Sequence, residues 1–301
     1  MNRLNYFNSA ERLSFAYGIL TAIYIVIFCG RIENHISLLI NRAVFFLAIS
    51  VTVFVSRKYP FSAVKFIRYM LPFSLIIYWY PETYYLNHDV IIPNLDSIFD
   101  SVDRTLFGCS PSMEFSRILP QAFVSEIMYF GYFSYFCIFM LLFVCVYFKK
   151  PEIAESVMFY ILSSFFIFYI IFIFIPVSGP QFYYPSPDNQ IPDGYFFCSL
   201  MRTIQNSGEQ PTGAFPSSHV GMTLISAWLL FRHFRRLFFI ALPAVIALVA
   251  STVYIKAHYL IDIVAAFITA PIIFKTSEKA YSVFFSKNIS RIACFGQKRH
   301  T

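Results

Sequence analysis

Two short stretches of this chain carry side chains that can do chemistry. Gly213-Ala-Phe-Pro-Ser-Ser-His219 sets a histidine and two hydroxyls at the mouth of an apolar run, and His258-Tyr-Leu-Ile-Asp262 opens another. A phosphoryl-transfer centre needs a nucleophile, a group that fixes the nucleophile's tautomer, and an acid that protonates the leaving oxygen. His258, Asp262 and His219 can fill those three roles. His258 and Asp262 are four apart, so a helix puts them on one face within reach of each other. An aspartate inside the apolar run 260–273 is costly unless it is paired or functional. A structural His–Asp pair is the competing account of the same spacing.

Pro216-Ser217-Ser218 suits the start of a helix, where free backbone N–H groups attract an anion and Ser217 and Ser218 can add hydroxyl donors. The plain alternative is a helix cap with a histidine at the membrane interface. Lys256 and Arg202 are the cations available to phosphate oxygens. Two histidines and an aspartate could also ligate a metal. No further histidine cluster and no His-x-x-x-His arrangement accompanies them, so no metal and no cofactor are expected.

The elements that must position these residues are membrane helices. Of 301 residues, 58% are hydrophobic and only 13% charged, which an ordinary soluble domain cannot bury. The expectation is an all-α, polytopic membrane bundle of about eight transmembrane helices. Apolar runs cover residues 13–29, 36–55, 69–85, 123–148, 157–176, 219–231, 237–255 and 258–274. The first run lacks the short apolar core and small-residue cleavage site of a signal peptide and is expected to stay as an anchor. The six cysteines, Cys29, Cys109, Cys137, Cys145, Cys198 and Cys294, form no metal-ligand spacing.

Charge sets direction, because short loops rich in Lys and Arg stay cytoplasmic. With the N-terminus inside, Arg57, Lys58, Lys65 and Arg68 share a side with Lys149, Lys150, Arg232, Arg235, Arg236, Lys275 and Lys279. Glu82, Asp89, Asp96, Asp100, Asp103, Glu114, Asp188, Asp193 and Glu209 fall on the other side, together with His219 and His258. The net +7 is therefore an inner-face bias, and no nucleic-acid partner is expected. Residues 86–122 form an outer loop, in which 94–103 reads either as an amphipathic interfacial helix or as a spacer. Residues 176–218, rich in Pro, Gly and Tyr, read as an ordered irregular loop able to form a lid. The partition is then N-terminal membrane helices over 1–85, the outer loop over 86–122, a catalytic membrane core over 123–274 and a basic tail over 275–301. Lys275, Lys279, Lys287, Arg291, Lys298, Arg299 and His300 suit that tail to anionic lipid.

These residues resemble the type 2 phosphatidic acid phosphatase superfamily of membrane lipid phosphatases and phosphotransferases, over roughly residues 123–274. Pro216-Ser-Ser-His219 is similar to the second motif of that family, usually Pro-Ser-Gly-His, and the stretch from Ser251 to Asp262 is similar to the third. The resemblance implies a six-helix core, a phosphohistidine formed on His258, Asp262 as its orienting partner, His219 as general acid, and no metal. Thr252 stands where the third motif usually has Arg. The first motif is missing, its nearest counterpart being Ser178-Gly-Pro-Gln-Phe182, with Gln181 where divergent members tend to carry Arg. Such departures resemble the branch that includes inositol phosphorylceramide synthases.

The function expected is hydrolysis of a lipid phosphate monoester or diphosphate at the outer face of a membrane, a bacterial inner membrane with the site facing the periplasm or exterior. Transfer of a phosphorylated head group between lipids is the alternative. A transporter would need a polar path through several helices, whereas the runs carry few ionisable residues besides Arg42, Glu126 and Asp262. The expected partners are a phosphorylated lipid substrate and membrane lipids. Nothing in the sequence speaks to oligomeric state.

Overall fold

The computed structural model describes residues 6–59 and 61–286, so Lys287, Arg291, Lys298, Arg299 and His300 of the basic tail lie outside the described residues. Each apolar run forms a helix, and the described residues contain no strand. The order is α1 (Ser9–Ile27), α2 (His35–Lys58), α3 (Ser62–Asn87), α4 (Asp96–Phe107), α5 (Pro111–Ile118) and α6 (Ala122–Lys149). There follow α7 (Ala154–Phe174), α8 (Pro180–Tyr183), α9 (Phe196–Gly208), α10 (Ser218–His233), α11 (Arg235–Tyr254) and α12 (Leu260–Tyr281).

Six of these are long and apolar enough to cross a membrane: α1, α2, α6, the stretch Pro151–Phe174 containing α7, α11, and the stretch Leu260–Phe285 containing α12. The expected eight is reduced on this criterion. α10 has 16 residues, and α3 carries Lys65, Arg68 and Glu82 with two internal prolines, Pro72 and Pro81. Large apolar side chains such as Leu47, Phe54, Ile240 and Ile272 are exposed on the bundle's outside, as an integral membrane protein requires.

α10 lies at the centre, packed by α6, α7, α11 and α12. α6 and α11 approach closely because Gly131 has no side chain: a Cβ there would sit 2.8 Å from the backbone of Ala247. At the end of the bundle opposite the histidines, α10 and α11 are separated by Phe234 alone, whose ring lies under Lys150 at the end of α6. The start of α1 is tied to that same end, where the Ser9 N–H donates to Glu155 at 2.9 Å and Arg68 pairs with Glu11 at 2.6 Å. Arg42, a charge within a span, pairs with Glu82 at 3.0 Å and donates to Thr21, so it clamps α1, α2 and α3 together.

The two segments at the histidine end are more ordered than expected. Residues 86–122 hold α4 and α5, and the spacer reading fails because Asp96 and Asp103 on α4 are buried. Residues 176–218 contain α9, whose first N–H groups are capped by Glu126, with Tyr195 and Phe197 each donating at 2.7 Å. Glu126 is thus a cap holding a surface helix over the bundle.

Replacing Gly131 by Ala should force α6 and α11 apart and cost about 1–3 kcal/mol. Thermal unfolding of the detergent-solubilised protein checks this, and an unchanged midpoint would contradict the close contact.

Candidate active site

The geometry starts from one backbone carbonyl. His258 Nδ1 lies 2.8 Å from the carbonyl oxygen of Ala214. A carbonyl can only accept, so Nδ1 carries the proton and Nε2 keeps its lone pair. Nε2 faces His219 Nδ1 at 3.3 Å, which therefore donates. His219 Nε2 is then an acceptor and takes the hydroxyl proton of Tyr132 at 3.1 Å. A single chain of donors runs from Tyr132 through both imidazoles to Ala214.

Asp262 lies 3.6 Å from His258 Nδ1, farther than the Ala214 oxygen, and its Oδ2 accepts the N–H of Tyr259 at 2.9 Å. It closes the first turn of α12 beside His258. Its Oδ1 is buried without a hydrogen bond. Asp262, expected from sequence to orient His258, lies beside it, but the hydrogen bond at Nδ1 is made by Ala214. His258 is buried, and this drives its pKa down to about 4, against the pull of the Ala214 carbonyl and of Glu209. The ring is neutral at pH 7, and its Nε2 lone pair accepts from His219.

Ala214 is held in turn. Its N–H donates to Val177 at 3.0 Å. Two residues earlier, Thr212 is knotted to α3 by Thr83 at 3.1 Å, Asn87 at 2.9 Å and the Tyr80 hydroxyl at 3.1 Å. Gly213 adopts φ +77, where any side chain would meet Phe172 and Tyr80. Ser217 caps α10, its Oγ accepting from Val220 N–H at 3.3 Å, and its own N–H donates to the Asp262 carbonyl at 3.1 Å. The second and third motifs are thereby stitched together.

α4 braces the outside. Asp96 accepts from Ser178 and Gly179 N–H at 2.8 Å each and from the Tyr259 hydroxyl at 3.0 Å. Asp103 accepts from Leu260 and Ile261 N–H at 2.8 and 2.9 Å, at the N-terminus of α12. Gly179 is required there, because a Cβ would lie 2.6 Å from the Ala257 carbonyl. Sequence reasoning missed both carboxylates, although Asp96 and Asp103 are seven apart and share a helix face.

Two cavities flank the end of α9, and one of them reaches His219. An apolar one of about 330 Å³ lies between α3, α6, α7 and α9 and reaches Ser218 and His219, whose ring is flanked by Tyr132 and Tyr135. A polar one of about 1070 Å³ is lined by Arg117, Gln181, Asn189, Arg202, Glu209 and Lys256 among others. Glu209 and Gln205 line both.

The expected phosphate ligands divide between these spaces. Ser218 lines the apolar cavity, while Ser217 is spent on its cap. Lys256 is buried, and its Nζ donates to the Asp188 and Gln190 carbonyls at 2.7 Å each, while its backbone sits at φ +61. It pins the outer loop, and does not reach to headgroups as an anchor would. Arg202 pairs with Asp193 at 2.6 Å and also donates to the Ile191 carbonyl. Gln181 donates its N–H to the Lys256 carbonyl, and its side chain hydrogen-bonds Glu209. Thr252 is buried with its hydroxyl turned back to Val249, so nothing there replaces the motif arginine. Among the described residues, no three His, Cys, Asp or Glu side chains are grouped to hold a metal ion.

An all-helical bundle with apolar spans and two buried imidazoles in contact at one end defines an integral membrane protein with a paired-histidine site. The PAP2 superfamily family model matches residues 101–276, more than half of the chain, and the chain belongs to that superfamily of phosphatases and phosphotransferases. No curated protein and no solved structure matches it.

Asp96→Ala should strand two N–H groups, lower stability by about 1–3 kcal/mol and loosen the loop before Gln181. Phosphatase activity in detergent is expected to fall more than tenfold while far-UV circular dichroism is retained; full activity would remove α4 from the site's support.

Proposed function

We propose that this chain is a histidine-nucleophile enzyme that cleaves a phosphate ester of a lipid at the outer face of a membrane, without a metal. The observation that carries the reading is the proton chain that leaves His258 Nε2 as a free lone pair facing His219. A phosphoryl group entering between the rings must part them, since they touch. His258 is pinned by Ala214 and its backbone, whereas His219 is held by Tyr132 and ring contacts, so His219 is the one able to give way.

In the first step His219, neutral in the resting chain of donors, takes the proton of a phosphate entering in its protonated form; His258 Nε2 then bonds to phosphorus, the phosphorus–oxygen bond to the lipid breaks, and His219 passes that proton to the departing alkoxide. His219 lines the apolar cavity, so the leaving lipid lies on that side. In the second step water attacks the phosphohistidine, the nitrogen–phosphorus bond breaks, and His219 takes the water's proton. Low dielectric around the buried site strengthens both transfers. Transfer to the alcohol of a second lipid, as in inositol phosphorylceramide synthases, uses the same intermediate with the alcohol replacing water. The large polar cavity, which could admit an acceptor, favours keeping that second reading.

His258→Ala is expected to lower turnover roughly a thousandfold or more and to abolish acid-labile phosphate labelling of the protein. His219→Ala should slow an alkyl phosphate ester by about a hundredfold or more and a nitrophenyl ester much less, because the acidic leaving group needs no proton. Equal losses on both esters would assign His219 another task.

The neutral ring of His258 is the attacking form, and burial lowers its pKa to about 4. Activity on the nitrophenyl ester should therefore persist as pH falls through 6.5, the ordinary histidine value, and decline near pH 4. An acid limb at pH 6.5 or above in kcat/KM would contradict a buried neutral nucleophile.

The orientation proposed is eight crossings with both termini in the cytoplasm, supported by the basic residues Lys149, Lys150, Arg232, Arg235 and Arg236 at the end opposite the histidines. Single cysteines labelled in intact cells by an impermeant reagent should react at position 189 and stay protected at position 234. The reverse pattern would invert the topology.

A further inference from the structure

His219 can be read one nitrogen at a time. Nδ1, which faces His258 at 3.3 Å, carries a proton, and the lone pair sits on Nε2, 3.1 Å from the hydroxyl of Tyr132. A proton can therefore leave His219 toward the space between the rings, but can enter the ring only at Nε2. Water attacking a phosphohistidine needs the reverse, a bare Nδ1 beside the phosphoryl group. Between the two steps the ring must exchange its tautomer.

Tyr132 touches the nitrogen at which that exchange has to happen. It lies on α6, is 3% exposed, and its hydroxyl has His219 as its hydrogen-bond partner. Its ring packs 4.8 Å from the imidazole, with Tyr135 one turn further along α6 at 4.7 Å. Among the described residues no acidic side chain pairs with His219, so a lasting imidazolium between those rings lacks a counter-charge and is costly. A phenol hydroxyl both gives and accepts a proton, whereas the Ala214 carbonyl on His258 only accepts. The two imidazoles are thus locked differently: His258 in one tautomer, His219 in one that its partner can reverse. Tyr132 also lines the apolar cavity with Ser218 and His219, so a phosphate entering from there meets the hydroxyl.

We propose that Tyr132 is the proton relay of His219, exchanging the tautomer of that ring between the two steps of the reaction. This rests on the histidine chemistry proposed above and supplies the route its proton takes. In the first step the proton of the phosphate passes to Tyr132 Oη, the Tyr132 proton passes to His219 Nε2, and the Nδ1 proton goes to the alkoxide as the phosphorus–oxygen bond breaks and His258 Nε2 bonds to phosphorus. His219 is left with its proton on Nε2 and a lone pair on Nδ1, facing the phosphohistidine. In the second step Nδ1 takes the proton of the attacking water as the nitrogen–phosphorus bond breaks, the Nε2 proton returns to Tyr132, and the Tyr132 proton passes to the released phosphate. The cycle closes with both rings in their resting tautomers, and it forms neither a tyrosinate nor a standing imidazolium.

The test uses the full chain in detergent with a nitrophenyl phosphate monoester, whose acidic leaving group departs without a proton, so the first step runs without the relay and the second still needs it. Rapid quenching at about pH 6, close to the second pKa of a phosphate monoester, separates the first turnover from the steady state and counts acid-labile phosphate on the protein. In Tyr132→Phe, nitrophenol release in the first turnover should stay within about threefold of wild type, while steady-state turnover falls about a hundredfold and phosphohistidine accumulates toward stoichiometry with the chain. Packing damage alone slows both phases together; that outcome overturns the relay, as does an unchanged steady state. Should Tyr132→Phe not fold, a difluorinated tyrosine at position 132 keeps the shape and acidifies the hydroxyl. The relay then requires steady-state turnover to change at least about threefold with first-turnover release unchanged, and no change overturns it. Nitrophenol release that survives His258→Ala overturns the histidine reading and the relay with it, whereas phosphohistidine that forms in the wild type but fails to accumulate in Tyr132→Phe overturns the relay alone.

Discussion

The hydrogen bond from His258 Nδ1 to the Ala214 carbonyl is the contact on which the site depends. A carboxylate partner could share or surrender a proton, but a carbonyl cannot, so it assigns the tautomer outright. The donors of Tyr132 and His219 then fall into one direction without further choice. Much of the surrounding structure serves to keep that oxygen in place: the Thr212 knot to α3, the Val177 contact, and the Ser217 link to α12. α3, whose composition is the least membrane-like of the long helices, has its outer end devoted to this task.

Carboxylates around the site act mainly as struts. Asp96, Asp103 and Asp262 each accept backbone N–H groups, and two of them do so at the N-terminus of α12. Buried acids are tolerated there because the free amides of a helix end or tight loop supply the missing solvation. Glu209 differs, because it accepts from side chains at the meeting point of two cavities. With Thr252 and Gln181 in place of the arginines usual in the superfamily, the balance of charge at the histidines is less positive than the motifs alone would lead one to expect.

The lipid side and the water side of the site follow from the same packing. α9 lies across the bundle, capped by Glu126 at one end and ending beside Glu209 at the other. Its inner residues Met201 and Gln205 contribute to the wall, with Gln205 shared by both cavities. The apolar cavity reaches Ser218 and His219, and Glu209 and Gln205 stand between it and the polar one.

Hydrophobic runs long enough to need burial were legible in the sequence, and the eight runs coincide with α1, α2, α3, α6, α7, α10, α11 and α12 because a membrane leaves the backbone of such runs few alternatives to a helix. The helix expected to carry both His258 and Asp262 begins only at Leu260, so His258 lies in the turn before α12 and reaches Asp262 from there. The Ala214 carbonyl was not legible, since a backbone oxygen has no letter and its direction comes from how residues 212–217 cross α3 and α12. Nor were the roles of Asp96 and Asp103, whose partners lie 82 and 157 residues away, or the commitment of Lys256 to a loop 68 residues upstream. Sequence determined the membrane setting and singled out His219, His258 and Asp262 as candidates, because both follow from composition and short-range spacing. Only tertiary packing decided which nitrogen is free and what charge surrounds it, because those depend on contacts between segments far apart in the chain.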